Sequence, residues 1–337
     1  MNIRIIISVL FFTAILPADG LLCAQSAPTD SLFVKPGDLS NLIFQLKTII
    51  EKNYFDKEKA ASLNKILTEK FANGDFKNLS PEHTTEKITQ LLRKETNDIH
   101  FKVTHFSTKA ANNQQQNQAA DNGGIAEIRK LKNNIGYLKW TEFRAGPDAF
   151  KKTVQALERL KGSRALIIDI SNNAGGNGEA GGFMNDHLYQ SKDYQQLLVK
   201  KCNGETRWHQ SEVPYNNTEG PRFYKTPVYI ITSKNTFSAA EYFAFIAQET
   251  GRAVILGDTT AGAGNPGQGV AFMRGGSDIG FFIFVPTCQI QTKAGKSIEA
   301  IGVIPDILLT SGDWLEETIN IIGSTSAKGP GTKQSTP

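Results

Sequence analysis

The chain has few of the residues that mark several protein classes. Its 337 residues include only three cysteines. Setting aside Cys23, which lies close to an N-terminal apolar segment, leaves Cys202 and Cys288. These two are too few and too far apart for a zinc site or a disulfide scaffold. They form either one disulfide bond or two buried thiols, and the sequence leaves both possibilities open.

The sequence also lacks a strong charge of one sign and long apolar runs. Its 37 basic and 33 acidic residues give a formal net charge of +4. Because the basic residues are spread among the acids, no segment is dense enough to track a phosphate backbone, and nucleic acid is not an expected partner. Beyond the N-terminus, no segment is apolar enough to cross a bilayer, so no integral membrane segment is expected there.

The apolar run from Ile5 to Leu16 has the length of the central region of a secretory signal, not of a membrane span. It predicts that residues 1–24 are a signal peptide cleaved after Ala24, and that the protein is exported to the periplasm or outside the cell. A lipoprotein anchor at Cys23 is the weaker alternative, because an anchor requires a small residue immediately before the cysteine.

Hydrophobic periodicity divides the remaining chain into four parts. Helical spacing predicts a small helical domain over residues 38–96. Residues 97–122 predict a strand, which carries His100, followed by a flexible connector rich in Gln, Asn and Ala. Strand and helix patterns then alternate through residues 123–323, which is typical of an α/β domain. The tail at 324–337 is predicted to be disordered.

Two segments at predicted strand-to-loop junctions contain residues suited to catalysis. In Thr-Phe-Ser-Ala-Ala-Glu, Ser238 begins a predicted helix, where the helix dipole would stabilise an alkoxide or oxyanion. Ser238 and Glu241 also have the spacing of an ordinary capping box. The glycine-rich loop in residues 169–178 could supply oxyanion-binding amides or simply turn the chain. Residues 262–267 have dinucleotide-site spacing, but Pro266 and the lack of a following helix exclude that site.

Two further residues carry little information alone. His100 lies in Asn-Asp-Ile-His-Phe-Lys-Val, and a histidine among apolar neighbours is usually structural. Glu299 lies in Ser-Ile-Glu-Ala-Ile-Gly-Val-Ile-Pro-Asp and by itself fits an ordinary loop acid.

Together these segments resemble the serine peptidase family that includes C-terminal processing (tail-specific) proteases, the tricorn core and interphotoreceptor retinoid-binding protein. The similar blocks are 165–178, 227–241, 252–267 and 298–306. The helical region and the NDIHF segment are closest to the retinoid-binding-protein-like bacterial branch without a PDZ domain. The resemblance implies a crotonase/ClpP-like β-β-α core preceded by a small N-terminal helical domain.

The resemblance also implies residue roles. Ser238 would be the nucleophile, His100 the general base and Glu299 its orienting partner, with the amides of Gly175 and Ala239 forming the oxyanion hole. The implied reaction is hydrolysis of a peptide or unfolded protein segment through an acyl-enzyme, with no metal or other cofactor. An ordinary histidine pKa places the acidic limb of the rate profile near pH 6 to 7, by an order-of-magnitude estimate.

The sequence departs from the tail-specific branch at two places. Ala263 stands where that branch has a lysine, so a lysine base would have to be Lys293 or Lys296. The connector is also too short for a peptide-docking PDZ domain.

Two alternatives to a peptidase stay open. One is a non-catalytic binding protein for an apolar ligand or peptide on the same scaffold, and the other is a thioester-processing enzyme of the crotonase type, which gives Ser238 no role.

Overall fold

The computed structural model of the chain describes residues 33–107, 122–211 and 219–327. The predicted signal peptide with Cys23, almost all of the predicted flexible connector and most of the predicted disordered tail lie outside these residues. Contacts divide the chain into two compact units. Of the described residues, 33–107, 199–210 and 265–295 belong to the N-terminal unit, and 122–198, 211, 219–264 and 296–327 belong to the core unit.

The described residues form helices and strands in a mixed order. The helices are α1 Pro36–Asn53, α2 Lys57–Ala72, α3 Pro81–Thr96, α4 Pro147–Leu160, α5 Gly178–Leu188, α6 Ala239–Glu249 and α7 Trp314–Ala327. The strands are β1 Lys102–Ser107, β2 Ile125–Leu131, β3 Ile135–Trp140, β4 Ala165–Asp169, β5 Leu198–Cys202, β6 His209–Gln210, β7 Val228–Thr232, β8 Ala253–Gly257, β9 Gly267–Met273, β10 Ile279–Pro286, β11 Cys288–Thr292 and β12 Ile307–Leu308.

The N-terminal unit packs its three helices on an antiparallel sheet of order β1-β10-β9. Apolar residues at helical spacing, such as Leu42, Leu46 and Ile50, are fully buried with the inward residues of β10. The start of α3 follows from Ser80, whose side chain accepts a hydrogen bond from the His83 amide, and from the proline at the first helical position.

The two cysteines left open by the sequence form a disulfide bond within the N-terminal unit. Cys202 and Cys288 lie in a second small sheet of order β11-β5-β6. The bridge ties together two segments that are 86 residues apart in the sequence. The sequence grouped 199–210 and 265–295 with the predicted core range, whereas their contacts group them with the N-terminal helices.

The core unit is built on a six-stranded sheet of order β12-β8-β7-β4-β3-β2. Strands β3, β4, β7, β8 and β12 run parallel, and β2 joins β3 antiparallel through a tight turn at Asn133-Asn134, where both asparagines have positive φ. Strands β4 and β7 are neighbours, so the loops that follow their carboxyl ends meet at one edge. These are the two segments singled out from the sequence.

One local prediction needs correction. The strand predicted from residue 97 begins only at Lys102, so His100 lies in a turn and not on a strand. The chain leaves α3 through Asn97 in the left-handed conformation, and the Asp98 side chain accepts a hydrogen bond from the His100 amide. That side-chain bond replaces a strand ladder at this point.

The last helix, α7, continues to Ala327 and so enters the tail that was predicted to be disordered from residue 324. Among the described residues, no helix combines the length and apolar character needed to span a membrane.

Candidate active site

Ser238 lies in the turn that joins β7 to α6. It caps the helix with φ 57° and ψ −122°, a backbone conformation that non-glycine residues rarely adopt. Its side chain is half-buried, and the preceding strand is central in the sheet. A strained serine at a strand-to-helix turn is a recurrent arrangement for an exposed nucleophile.

The carboxylate of Glu241 holds this turn. It is fully buried, and its Oε2 accepts hydrogen bonds from the amides of Ser238 and Ala263 at 2.7 and 2.9 Å. Its Oε1 accepts from the Thr260 hydroxyl at 2.6 Å and from the Gly262 amide at 2.7 Å. Burial raises the pKa of Glu241, and these four donors oppose that shift. One side chain therefore fixes the Ser238 turn and the following glycine-rich loop together.

A second buried residue, Asn173, ties the loop after β4 to the Ser238 turn. Its main-chain carbonyl oxygen accepts from the Phe237 amide at 3.0 Å, and its side-chain Nδ2 donates to the Trp140 carbonyl at 2.9 Å. Its Oδ1 accepts from the Gly175 amide at 2.8 Å. The amide predicted for the oxyanion hole thus already donates to a side chain.

Gly175 packs directly against Ser238. It has φ 88°, and a Cβ atom placed on it would come 2.7 Å from the Phe237 carbonyl oxygen and 3.0 Å from Ser238 Cβ. The same position would be 3.2 Å from the Ala239 amide nitrogen. Only glycine allows this approach, because any side chain would displace the serine turn. The structure therefore brings Gly175, Ser238 and Ala239 together.

Glu299 belongs to the core unit as well and is half-buried. Its Oε2 accepts a hydrogen bond from the Gly264 amide at 2.7 Å, and its own amide donates to Ser297 Oγ. The neighbouring Tyr242 donates to the Gly264 carbonyl. Burial raises the pKa of Tyr242 well above 10, and the charges of Glu299 and Glu241 raise it further. Tyr242 therefore stays a neutral hydrogen-bond donor beside the two acids.

His100 lies in the N-terminal unit and is buried, with 5% of its surface exposed. Its ring stacks on Phe284, with centroids 5.6 Å apart and an interplanar angle of 26°. Burial lowers the pKa of His100 to about 3, and the positive charge of Arg93 contributes to the decrease. The imidazole is therefore neutral near pH 7, as a general base must be.

The lysines considered as alternative bases have other surroundings. Lys296 forms an ion pair with Glu249 and lies 5.4 Å above the Phe245 ring. Lys293 is exposed. Ala263, at the position of the tail-specific lysine, is fully buried and donates its amide to Glu241.

Sequence reasoning overlooked several residues around the candidate site. Asn173 sits beside the glycines that drew attention, and Glu241 was considered only as a partner in helix capping. The signal for Glu241 was its spacing from Ser238, but spacing could not reveal its three partners in residues 260–263. Nothing in the local pattern indicated Asn265. Its side-chain amide donates a hydrogen bond to Asp98, which is 167 residues away in the sequence.

The sequence profile of peptidase family S41 matches residues 134–309, a little over half of the 337 residues. This chain belongs to peptidase family S41. The segment contains the Ser238 turn, the Gly175 loop and Glu299, and the match confirms the family resemblance seen in the sequence.

Curated relatives are C-terminal processing proteases. The chloroplastic C-terminal processing peptidase of Tetradesmus obliquus is 27% identical over 199 residues, covering 58% of this chain and 40% of that protein. The carboxy-terminal processing protease CtpB of Bacillus subtilis (strain 168) is 27% identical over 182 residues, covering 54% and 35%. The matches thus span less than half the length of either relative.

Solved structures share the fold at low identity. The photosystem II D1 C-terminal processing protease has a TM-score of 0.52 and 17% identity, covering 87% of this chain and 99% of that one. A lipoprotein from Streptococcus agalactiae has a TM-score of 0.56 and 16% identity, covering 88% and 99%. The tricorn protease has a TM-score of 0.53 and 13% identity, covering 86% and 37%. These likenesses confirm the predicted α/β fold class.

Proposed function

We propose that this protein is an exported serine-type endopeptidase that cleaves peptide bonds in peptides or unfolded protein segments. The single observation that carries the proposal is the strained Ser238 turn, which packs on Gly175 at the carboxyl ends of the parallel strands β4 and β7. Membership of a peptidase family supports it. The names of the curated relatives support a peptide or protein substrate.

In the proposed reaction, Ser238 Oγ attacks the scissile carbonyl carbon and loses its proton to His100. Collapse of the tetrahedral intermediate breaks the C–N bond, and His100 gives that proton to the leaving amine. Water then gives a proton to His100 and attacks the carbonyl carbon of the acyl-enzyme. The ester bond to Ser238 breaks, and His100 returns the proton to Ser238 Oγ. Glu299 is proposed to orient His100, and its anchoring by the Gly264 amide supports a fixed position for that carboxylate.

The proposed oxyanion hole consists of the amides of Ala239 and Gly175. The Ala239 amide opens α6, where the helix dipole favours negative charge. The Gly175 amide donates to Asn173 Oδ1, so we propose that it shares or exchanges this acceptor when the oxyanion forms. This rearrangement breaks one hydrogen bond between neutral groups. Substrate binding energy is large enough to offset that loss.

The direct test is Ser238→Ala, assayed with an unfolded protein substrate. We expect turnover to fall by roughly 1000-fold or more, since removal of an acyl-enzyme nucleophile leaves only residual catalysis. The thermal midpoint should change little. Ser163→Ala is a matched control, because Ser163 is also in the core unit but bonds only within the turn after α4. Retained turnover in folded Ser238→Ala would remove Ser238 from the mechanism and favour a binding protein or a crotonase-type reaction.

Export is proposed on the N-terminal apolar segment alone. The mature chain should begin near Gln25, and intact-mass measurement of periplasmic or secreted protein tests this directly. Mature protein that retains Met1 would contradict export.

A further inference from the structure

A buried carboxylate that has no role in the proposed reaction lies two residues before His100. Asp98 has 1% of its surface exposed. One of its carboxylate oxygens lies within 4.8 Å of a ring nitrogen of His100. A buried charge is costly unless it is bonded on both oxygens, so its placement needs an explanation.

Both oxygens of Asp98 are in fact held. Oδ1 accepts from the His100 amide at 3.0 Å, which closes a tight turn over Ile99. Oδ2 accepts from Asn265 Nδ2 at 2.9 Å, and Asn265 is itself buried. The Asp98 amide donates to Thr96 Oγ1 at 3.2 Å. The carboxylate therefore fixes the backbone of His100 and is fixed in turn by a residue far away in the sequence.

The residue after His100 is held independently. Arg93 Nε donates to the Phe101 carbonyl at 2.7 Å, and the Phe101 ring is fully buried against Tyr54. The charged groups that face Asp98 from the packed helices are Lys59 of α2 and Arg93 of α3. The main chain is thus held by one bond before the imidazole and one after it, and the Asp98 carboxylate lies beside the ring.

We propose that Asp98 is a positioning residue for His100, clamped by Asn265, and that it sets the orientation of the imidazole and stabilises the positive charge that the ring acquires during turnover. The kinetic consequence of this inference rests on the proposed function. Its structural part, that Asp98 sets the orientation of the His100 ring, is independent of the proposed function.

The kinetic test compares Asp98→Ala with Asp98→Asn. Loss of both acceptors in Asp98→Ala should lower kcat by about 10- to 100-fold with KM nearly unchanged, because a misplaced base slows chemistry and not binding. Asp98→Asn keeps an oxygen for the His100 amide but loses the charge, so it should recover part of kcat. Asn265→Ala should resemble a weaker Asp98→Asn.

Asp38→Asn is the matched control. Asp38 is a buried carboxylate of the same unit, paired with Arg274 and not bonded to the His100 turn. It should lower the thermal midpoint while leaving kcat near the wild-type value. If Asp98→Ala loses activity only in proportion to stability, as Asp38→Asn does, the positioning role is overturned.

An imidazole ¹H–¹⁵N NMR spectrum of the full chain separates this inference from the proposed function. His100→Gln identifies the His100 signal among the five histidines. That signal should move in Asp98→Ala and Asp98→Asn and stay in place in Asp38→Asn. If the wild-type protein is inactive but the signal moves, the peptidase proposal fails and the positioning role stands. An unmoved signal contradicts the positioning role.

Discussion

The Ser238 turn and the His100 turn are held in different ways. Ser238 has a strained backbone, and two buried residues hold its turn: the Glu241 carboxylate accepts from the Ser238 amide, and the Asn173 main-chain carbonyl accepts from the Phe237 amide. His100 follows the end of α3, and the Asp98 carboxylate closes its turn, while Asn265 clamps Asp98 and Arg93 holds the Phe101 carbonyl. The Ser238 turn combines a strained backbone with the bonds of Glu241, and the His100 turn is closed by the Asp98 carboxylate.

This difference separates the expected consequences of mutation. A strained backbone keeps its conformation only while its surroundings enforce it, so damage to the Ser238 network should cost stability and activity together. The residue that leads into the His100 turn, Asn97, is left-handed as well, but asparagine tolerates that conformation at a helix end, so less strain is stored there. Damage there should lower catalysis while the unit stays folded.

The largest effect is expected from Glu241→Ala. It leaves three backbone amides and a buried hydroxyl without their acceptor, so the free energy of unfolding should fall by at least about 3 kcal/mol. Activity should fall more than about 100-fold as the turn relaxes. Glu249→Ala on the same helix pairs only with exposed Lys296 and should cost less than about 1 kcal/mol in a denaturant titration. Equal effects of the two changes would contradict the network.

Gly175→Ala should follow, with a loss in kcat of about 100-fold. The added methyl group would come 3.0 Å from Ser238 Cβ and must push the Ser238 turn aside. Steady-state kinetics should show a smaller change in KM. Gly178→Ala is the matched control at the start of α5, directly after this loop, because its Cβ would meet no atom within 4 Å. Similar losses from both glycines would mean that the loop tolerates no side chain for general reasons.

Asp98→Asn should change the pH profile and lower kcat by about tenfold. Burial raises the pKa of Asp98 to about 6, whereas burial lowers that of His100 to about 3. As pH falls through about 6, Asp98 gains a proton and loses the charge beside the imidazole, so kcat/KM should fall. In Asp98→Asn this limb should vanish and leave a lower, flat rate until His100 protonates.

The sequence had assigned an acidic limb near pH 6 to 7 to ordinary titration of His100. The burial of that ring changes the assignment, because the group that titrates near 6 is Asp98. A limb near pH 6 that persists in Asp98→Asn would return the assignment to His100.

The smallest effect is expected from Lys296→Ala. Its ammonium group pairs with Glu249, and the ion pair is exposed, so turnover should stay within about twofold of wild type. Lys293→Ala should do the same. A large loss of turnover from either change, measured with the same substrate, would make a lysine the base and overturn the role of His100.

Elements with clear periodicity were predictable from sequence. The alternation predicted for residues 123–323 is present in strands β2, β3, β7 and β8 and helix α4, because each has a strong apolar pattern and turn residues at its ends. The turn at His100 could not be predicted, because the alternation of Ile99, Phe101 and Val103 resembles that of a strand. In the structure the Asp98 side chain closes a turn at this point instead. Periodicity does not report local side-chain bonds.

Residue roles in the site were predictable only as far as a short motif carries them. The serine and the glycine-rich loop were found, and the structure packs them together. The function of Glu241 depends on Thr260 and Gly262, and that of Asp98 on Asn265, so both depend on long-range contacts. The same holds for the disulfide, since nothing in the sequence decided whether Cys202 and Cys288 would meet.

The most direct test of the proposed mechanism is covalent labelling with a fluorophosphonate, followed by peptide mapping. The reagent should phosphonylate Ser238 in the wild-type protein, and the adduct should be absent in Ser238→Ala. Labelling should slow by orders of magnitude in His100→Gln and persist in Lys296→Ala. Folded wild-type protein that takes no label at Ser238, or takes it equally fast without His100, would contradict the account.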